Sequence, residues 1–288
     1  MPRIAYVNGQ YVTQAEAQVS IDDRGFQFAD GVYEVWALRD GRILDWDGHT
    51  TRLYSSLSEL RMAPPVAPQV LRLIVEEVIR RNRLRQGLVY LQVTRGVAPR
   101  DHAFPSPQPR AGLILTAKPI DMQAIDRKAE AGVRVITVPE SRWARCDIKT
   151  TSLTANVMAK QQAREAGAFE AWFVDAGGFV TEGASTNAWI VDAKGVLRTR
   201  PSTDNILRGI TRARVLAVAQ SLQIPVSEQP FSPEEAYDAQ EAFVTSATAF
   251  VMPVTYVDGH TVGAGVPGPV TKKLRTEYLR IAAGPATA

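Results

Sequence analysis

The chain has 288 residues, of which 45% are hydrophobic and 22% charged, a composition typical of a globular protein with one large or two modest domains. No stretch approaches the roughly 18 apolar residues of a membrane span, and Met1-Pro2-Arg3-Ile4-Ala5 lacks the apolar core of a signal peptide. The single cysteine, Cys146, excludes an intramolecular disulfide and a cysteine-rich zinc site. We therefore expect a protein of a reducing compartment, the cytoplasm, without membrane attachment. Three histidines far apart in sequence make a metal site an unexpected feature.

The formal net charge is +3 and the isoelectric point is near 9.0, which raises the question of nucleic-acid binding. The basic residues are scattered, and the densest group, Arg80, Arg81, Arg83 and Arg85, ends a predicted helix, where cations complement the helix dipole. Nucleic acid is therefore not an expected partner. Only seven of the 33 basic residues are lysines, so a lysine that performs chemistry has few candidates.

The first third of the chain predicts β-hairpins followed by two helices. Asn8-Gly9 and Asp40-Gly41 are typical hairpin turns, because both turn positions need positive φ. The flanking strands are predicted at residues 4–7 and 10–12, and at 32–38 and 42–46. Apolar residues spaced three and four apart predict helices over 51–62 and 68–84. Strands at 88–95 and 111–117 then flank a proline-rich segment.

A change in composition divides the chain into two predicted domains. Residues 118–128 contain Pro119 and little periodicity, so we predict a linker between a small N-terminal α/β domain (1–117) and a larger C-terminal domain (129–288). The second domain is predicted to hold strands at 133–138, 171–175, 188–192 and 242–246, a hairpin around Asp258-Gly259, and helices at 155–166, 210–222 and 270–281. Runs of strands with inserted helices favour an α+β fold.

A polar segment, residues 145–151, follows a predicted strand and precedes a helix. It contains Lys149, and the neighbouring Ile148 and Cys146 indicate a partly buried stretch. Most lysines are ordinary surface residues. A partly buried lysine is a candidate nucleophile, because loss of solvation favours the neutral amine that forms an imine with a carbonyl cofactor.

Glu182 lies in Thr181-Glu182-Gly183-Ala184-Ser185-Thr186-Asn187, between two strand-like segments. This segment can be a turn that satisfies the carboxylate locally. It can equally hold Glu182 against a cationic ring nitrogen, the pairing that keeps a pyridoxal ring protonated.

A candidate phosphate site lies at residues 205–212, where Gly209 precedes a predicted helix. The first amides of a helix, here those of Ile210 and Thr211, bind anions together with the helix dipole. Many helices begin with Gly and Thr without such a role. Arg52, in His49-x-x-Arg52-Leu53, can add a guanidinium to the same phosphate or be an ordinary surface cation.

The loop over residues 95–105 carries Arg100 and His102 on a proline-stiffened backbone. Two such side chains can bind one carboxylate from two sides. The same pattern also fits a surface loop with incidental charges.

With these motifs the sequence resembles the fold-type IV pyridoxal-phosphate enzymes, and within them the D-amino-acid transaminases, over almost the whole chain. The resemblance begins at Asp23-Arg24-Gly25-Phe26-Gln27-Phe28-Ala29-Asp30-Gly31-Val32-Tyr33-Glu34-Val35 and continues to Phe243-Val244-Thr245-Ser246. Arg145-Cys146-Asp147-Ile148-Lys149, Thr181-Glu182-Gly183 and Gly209-Ile210-Thr211-Arg212 occur between them in the family's order. Each motif is modest alone, and their combination is specific.

The resemblance implies a two-domain α+β enzyme of fold type IV that binds pyridoxal 5'-phosphate. Lys149 would be the Schiff-base lysine and would carry the proton between substrate and cofactor, while Glu182 would pair with the pyridine nitrogen. The remaining cofactor-binding residues, which would hold the phosphate, are Arg52, Ile210, Thr211, Ala247 and Thr248. Ala247 replaces the threonine that the family usually has after Thr245-Ser246, so a slightly altered phosphate site is expected. Phe250 also replaces an acidic residue that is common in that stretch.

The same resemblance implies the substrates. Tyr33 would face the substrate, and Arg100 and His102 would bind its carboxylate across the interface of a homodimer with a shared active site. The implied reaction is a ping-pong transamination of D-amino acids, such as D-alanine and D-glutamate, with 2-oxo acids. Branched-chain L-aminotransferases and aminodeoxychorismate lyases are not expected to carry the Arg-x-His loop. These enzymes, together with (R)-amine transaminases, are the alternatives on the same fold.

Overall fold

The computed structural model describes residues 2–203 and 205–282. The chain forms two compact units, of which unit 1 comprises Met1–Met122 with Ile148–Ser152 and unit 2 comprises Gln123–Asp147 with Leu153–Ala288. The division falls within residues 118–128 but leaves the Lys149 segment with unit 1. The predicted domain limits, 1–117 and 129–288, stay a prediction.

Among the described residues, unit 1 contains one antiparallel sheet and three helices. Its strands are β1 (Ile4–Val7), β2 (Gln10–Thr13), β3 (Gly31–Arg39), β4 (Arg42–Ile43), β5 (Gly87–Thr94) and β6 (Gly112–Pro119). They form a sheet in the order β2-β1-β6-β5-β3-β4. The helices are α1 (Arg24–Phe28), α2 (Trp46–Glu59) and α3 (Pro68–Arg81).

The two hairpins predicted in unit 1 are confirmed, with φ of 49° at Asn8 and 53° at Asp40. The second hairpin is shorter than predicted, because β4 ends at Ile43 and α2 begins at Trp46. Asp45, with a φ of 50°, turns the chain there. Trp46 is therefore the first residue of α2, and its ring stacks on that of Trp36 with the centroids 5.1 Å apart.

One face of the first sheet carries the core of unit 1. Successive strand residues point to opposite faces, and Trp36, Leu91 and Leu115 are buried in a cluster with Leu57 of α2 and Val75 of α3. The opposite face carries half-buried side chains, including Tyr33 and Tyr90. The alternation in β3 therefore separates Tyr33 from its buried neighbour Glu34.

Unit 2 contains a mixed sheet and five helices among the described residues. Its strands are β7 (Val133–Pro139), β8 (Glu170–Val174), β9 (Val180–Gly183), β10 (Asn187–Val191), β11 (Leu197–Thr199), β12 (Val226–Ser227), β13 (Glu241–Ser246), β14 (Phe250–Val257) and β15 (His260–Thr261). The helices are α4 (Met122–Ala131), α5 (Thr154–Glu165), α6 (Ile210–Ser221), α7 (Pro233–Tyr237) and α8 (Pro269–Ala282). The sheet order is β12-β11-β10-β13-β14-β7-β8-β9, with β15 beside β14.

The second sheet has both parallel and antiparallel neighbours, and its core lies along the central strands. β7 runs parallel to β8 and β14, whereas β13 runs antiparallel to β10 and β14. Trp172, Val244 and Met252 are fully buried in one cluster, and Phe173 packs with Ala163 of α5 in another. Two sheets with inserted helices confirm the predicted α+β class.

The local structure differs from two expectations. Residues 118–128, predicted as a linker with little periodicity, carry the end of β6 and most of α4, in which Ile125 and Ala129 pack into the core of unit 2. Their role as a linker between domains stays a prediction. Glu182 lies within β9 and not between strands. All four β9 residues are buried, so the strand lacks the alternation on which the prediction depended.

Candidate active site

Lys149 lies on a short segment of unit 1 that runs along β3. The backbone nitrogen of Tyr33 donates to the carbonyl oxygen of Lys149 at 3.0 Å, and the nitrogen of Thr151 donates to the carbonyl oxygen of Gly31 at 3.0 Å. The hydroxyl of Thr150 also donates to the carbonyl oxygen of Gly31, at 3.0 Å. These bonds fix the register of the segment against β3 and place Lys149 beside Tyr33.

The side chain of Lys149 lies over an aromatic pair. Its Nζ is 4.1 Å from the centroid of the Tyr33 ring, and the Tyr33 ring stacks on Tyr90 with centroids 5.8 Å apart. The Tyr90 hydroxyl donates to Oε1 of Gln92 at 2.8 Å. Burial, with a smaller contribution from Tyr33, raises the pKa of Tyr90 to about 12, so Tyr90 stays protonated. The two predicted residues Lys149 and Tyr33 are therefore brought together, on an aromatic surface.

Arg52, predicted to bind phosphate, forms a bidentate pair with the buried Glu34 of unit 1. Nε of Arg52 donates to Oε1 of Glu34 at 2.6 Å, and Nη2 donates to Oε2 at 3.0 Å. Nδ1 of His49 lies 2.8 Å from the same Oε2. Burial alone would raise the pKa of Glu34, but Arg52 and His49 hold it well below its ordinary value. An ionised carboxylate thus fixes the Arg52 side chain, while its phosphate role stays a prediction.

Arg100 and His102 lie close together around the ring of Phe28, in unit 1. Cζ of Arg100 is 5.0 Å from the ring centroid, and the ring of His102 is 5.4 Å from it at an angle of 51°. Both side chains are exposed. They are thus accessible to a carboxylate, as their predicted role requires.

Glu182 is a buried carboxylate of unit 2 with three donors around it. Nδ2 of Asn187 donates to Oε2 at 2.8 Å, and the backbone nitrogen of Leu207 donates to Oε1 at 3.0 Å. Nη1 of Arg142 also donates to Oε1. A carboxylate with cationic and amide donors keeps its negative charge. This is the state that a partner of a protonated ring nitrogen needs.

Arg142 and Glu140 are functional candidates that the sequence reasoning missed. Arg142 donates to Glu140 through Nη2, at 2.6 Å, and through Nε, at 2.9 Å. Burial would lower the pKa of Arg142, but Glu140 and Glu182 raise it above its ordinary value, so the guanidinium remains charged beside Glu182. The Glu-x-Arg pattern directly after β7 was the available signal.

The N-terminus of α6 lies next to Glu182 through Asn187. Nδ2 of Asn187 also donates to the carbonyl oxygen of Leu207 at 3.0 Å. A Cβ at Gly209 would approach Oδ1 of Asn187 to 2.0 Å, so only glycine allows this close packing. Gly209 is the N-cap and provides no side-chain cap. The structure therefore brings Glu182 and the predicted phosphate-binding helix start together.

Thr211, in the first turn of α6, has an unsatisfied hydroxyl. The residue is 3% exposed, and its Oγ1 has no hydrogen-bond partner among the residues that the structure describes. A buried hydroxyl without a partner is costly, and the first amides of a helix have no acceptor within the helix. Together they form a donor set that fits the oxygens of an anion such as a phosphate.

Ala247 and Thr248, the remaining predicted cofactor contacts, occupy the turn between β13 and β14. Both are half-buried, and a role in phosphate binding stays a prediction for them. Phe250, the departure noted in the sequence, is fully buried with a φ of 62°. Its ring centroid lies 6.0 Å from that of Tyr278, which explains an apolar residue at this position.

Neither a membrane span nor a metal cluster is found in the described part of the chain. No helix within residues 2–203 and 205–282 is both long and apolar enough to cross a membrane. In the same ranges, no group of three or more His, Cys, Asp and Glu residues is arranged to hold a metal ion.

Known families and sequences are similar to this chain over most of its length. The family described as amino-transferase class IV matches residues 31–257. The chain is 42% identical to the D-alanine aminotransferase of Bacillus licheniformis over 271 residues, which cover 93% of each protein. It is 39% identical to the D-alanine aminotransferase of Listeria monocytogenes serotype 4b over 95% of this chain and 94% of the relative.

Solved structures agree with this result. The T.th. branched-chain amino acid aminotransferase with pyridoxamine 5'-phosphate superposes with a TM-score of 0.89 at 29% identity, over 99% of this chain and 95% of that one. The branched-chain amino acid aminotransferase of Escherichia coli has the same TM-score at 26% identity, with the same coverage. The family match, the near-complete similarity and the shared fold lead to one conclusion: the chain belongs to the class IV aminotransferase family.

Proposed function

We propose that this protein is a pyridoxal-phosphate-dependent D-amino-acid aminotransferase that uses 2-oxo acids as acceptors in a ping-pong reaction. The observation that carries the proposal is the amine of Lys149 against the ring of Tyr33, at the two positions that the family's pattern assigns to the site. The relatives at 42% and 39% identity are D-alanine aminotransferases. Their identity to this chain exceeds the 29% and 26% of the branched-chain enzymes, which supports D-amino acids as substrates.

The residues present fit pyridoxal 5'-phosphate. The unpartnered hydroxyl of Thr211 and the first amides of α6 suit the phosphate, and the family's pattern adds Arg52. The ionised carboxylate of Glu182 suits a protonated ring nitrogen. When bound, the cofactor supplies a carbonyl carbon that condenses with amines and a ring that withdraws electrons from the substrate.

Lys149 has the central role in the proposed mechanism. Its amine would hold the cofactor in the resting enzyme and, once free, would take the proton from Cα of the D-amino acid. The same amine returns a proton during the second half of the reaction, with a 2-oxo acid. Tyr33 keeps the amine in place, because the backbone bond and the ring contact both connect it with Lys149.

The proposed roles of Glu182 and Arg142 are electrostatic. Glu182 keeps the ring nitrogen protonated, and Arg142 keeps Glu182 ionised at a buried position. Because these groups are preorganised by Glu140 and Asn187, the site does not need to reorient dipoles as charge develops. Their contribution is therefore to the rate of the chemical step.

The substrate carboxylate is assigned to Arg100 and His102, reaching across a homodimer in which each active site uses both subunits. Their exposure and their shared contact with Phe28 support this assignment. A carboxylate held on that side would direct the Cα–H bond of a D-amino acid towards Lys149.

With a single cysteine in the chain, the reducing cytoplasm is the compartment that we propose.

The experiment that tests the function compares amino donors with the purified protein and pyridoxal phosphate. With 2-oxoglutarate as acceptor, we expect pyruvate from D-alanine and negligible product from L-leucine. A faster reaction with L-leucine, or pyruvate release from aminodeoxychorismate in place of D-alanine turnover, would replace the proposal by one of the same-fold alternatives. Including an (R)-amine in the panel measures how far the donor range extends beyond amino acids.

A further inference from the structure

The loop that carries Arg100 and His102 is attached to a buried arginine, Arg24. Nη1 of Arg24 donates to the carbonyl oxygen of Asp101 at 2.5 Å, and Nη2 donates to the carbonyl oxygen of His102 at 3.4 Å. Arg24 itself is 3% exposed, whereas Asp101 and His102 are exposed. The buried guanidinium of Arg24 therefore holds the backbone of an exposed loop at two residues. Asp101 lies between the two candidate carboxylate ligands, and His102 is one of them.

Asp30 fixes the guanidinium of Arg24 and also that of Arg95. Its Oδ2 accepts from Nε of Arg24 at 2.8 Å and from Nε of Arg95 at 2.7 Å, and its Oδ1 accepts from Nη2 of Arg95 at 2.9 Å. Cζ of Arg95 lies 3.7 Å from the centroid of the Phe104 ring, near the far end of the same loop. One carboxylate thus connects the two arginines that hold the loop at two points.

Phe28 connects the same arginine with the side chains of the loop. Cζ of Arg24 lies 4.8 Å from its ring centroid, and Arg100 and His102 contact the same ring. The loop entrance is equally constrained, because the nitrogen of Arg24 donates to the carbonyl oxygen of Gly96 at 2.9 Å. Residues of α1 therefore contact the backbone of Asp101 and His102 and the side chains of Arg100 and His102.

We propose that Arg24 is a positioning residue for recognition of the substrate carboxylate, acting through the backbone of Asp101 and His102 and fixed by Asp30. The inference rests on the proposed function for the role of Arg100 and His102, and it adds residues that contact no substrate themselves. A loop without regular structure would otherwise lose conformational freedom when the substrate binds. Because Arg24 already orders the loop in the free protein, its removal weakens substrate binding and leaves the chemistry at Lys149 intact.

The test uses the holoenzyme with Arg24→Gln, which removes the charge and shortens the side chain, so that the Nη1 and Nη2 donors to the two carbonyl groups are lost. Arg80→Gln is the matched control, because Arg80 pairs with Glu77 at an exposed end of α3. Asp30→Asn is the second variant, in case Arg24→Gln does not fold. For Arg24→Gln we expect KM for D-alanine to rise roughly tenfold, because substrate binding must then order the loop that Arg24 no longer holds. The kcat and the cofactor absorption should stay within about twofold of the wild type, and Arg80→Gln should match the wild type in all three.

Hydrogen exchange of the amides of residues 98–104 gives a second readout that does not depend on activity. We expect faster exchange in Arg24→Gln and Asp30→Asn, with no change in Arg80→Gln. Unchanged KM together with unchanged exchange would overturn the inference, as would a fall in kcat with KM unaltered. If the wild-type enzyme does not convert D-alanine, the proposed function fails, and the exchange measurement alone then decides whether Arg24 holds the loop.

Discussion

Lys149 and Tyr33 are connected twice, by a backbone hydrogen bond of 3.0 Å from the Tyr33 nitrogen to the Lys149 carbonyl oxygen and by the ring under the amine at 4.1 Å. The backbone bond sets the register of the Lys149 segment against β3. The side-chain contact then follows from the register, because the two residues are direct neighbours. The position of the Lys149 amine is therefore determined by the local pairing of two segments that are far apart in sequence.

Two substitutions at Tyr33 distinguish the contribution of its ring to kcat from that of its hydroxyl. Tyr33→Phe keeps the aromatic surface under Lys149, so we predict that kcat stays within a few-fold of the wild type. Tyr33→Ala removes the ring contact, and we predict a fall in kcat of about tenfold, in line with the loss of about 1–2 kcal/mol from an amine–aromatic contact. Steady-state kinetics with D-alanine measures both, and equal kcat values for the two variants would contradict the role of the ring.

Thr211→Val tests the phosphate role of the unpartnered hydroxyl. The substitution removes one donor to the phosphate, so we predict that the dissociation constant for pyridoxal phosphate rises about tenfold. Because Oγ1 has no partner among the described residues, the cofactor-free protein should lose no stability. Thr199→Val is the matched control, since the Thr199 hydroxyl donates to the carbonyl oxygen of Ala188 at 2.9 Å.

For Thr199→Val we predict the opposite pattern, a loss of about 1 kcal/mol in the free energy of unfolding with unchanged cofactor affinity. Fluorescence titration with the cofactor and urea unfolding of the cofactor-free proteins give the two quantities. A destabilised Thr211→Val protein with normal affinity would show that Thr211 serves the fold and not the phosphate.

Glu182→Gln tests the proposed pairing of this carboxylate with the ring nitrogen of the cofactor. The amide has nearly the shape of the carboxylate but no negative charge, so we predict that kcat falls by about 10² to 10³ while the protein still binds pyridoxal phosphate. Glu235→Gln, at the exposed start of α7, is the control and should retain the wild-type kcat. Single-turnover conversion of D-alanine provides the rate, and a Glu182→Gln rate within twofold of the wild type would contradict the assignment.

Glu34 makes the free energy of unfolding dependent on pH in the acidic range. Its pKa in the folded protein is lowered from the ordinary value of 4.5, so its stabilisation is complete above that value and is lost as the pH falls below it. Breaking this buried pair with Arg52 by Glu34→Gln should cost about 3–5 kcal/mol at pH 7. We predict that the difference in unfolding free energy between wild type and variant shrinks from pH 7 to pH 3.5. Urea unfolding at both pH values measures it, and a constant difference would contradict the ionised pair.

Lys149, Glu182 and the start of α6 could be proposed as site residues from the sequence because each lies in a compact motif. The partners of these residues were harder to predict. Arg142 reaches Glu182 across 40 residues, and Arg24 reaches Asp101 across 77 residues. Such pairs depend on which strands become neighbours, and hydrophobic periodicity carries no information on that order.

The buried position of Glu34 is a second feature that hydrophobic periodicity could not predict. Tyr33-Glu34 reads as a polar pair within a strand, and alternation predicts only that the two side chains point to opposite faces. That the core face receives the carboxylate follows from Arg52 and His49 on α2, which compensate its charge there. A buried charge can be predicted only when its partner is known.

The central role of Lys149 is tested most directly by finding the lysine that carries the cofactor. The protein is incubated with pyridoxal phosphate, reduced with borohydride and digested, and the labelled peptide is identified by mass spectrometry. We predict one pyridoxyl group per chain, attached to Lys149, and no label after prior conversion with D-alanine in the absence of an acceptor. A label on another lysine, such as Lys160, or no label at all, would contradict the central role of Lys149.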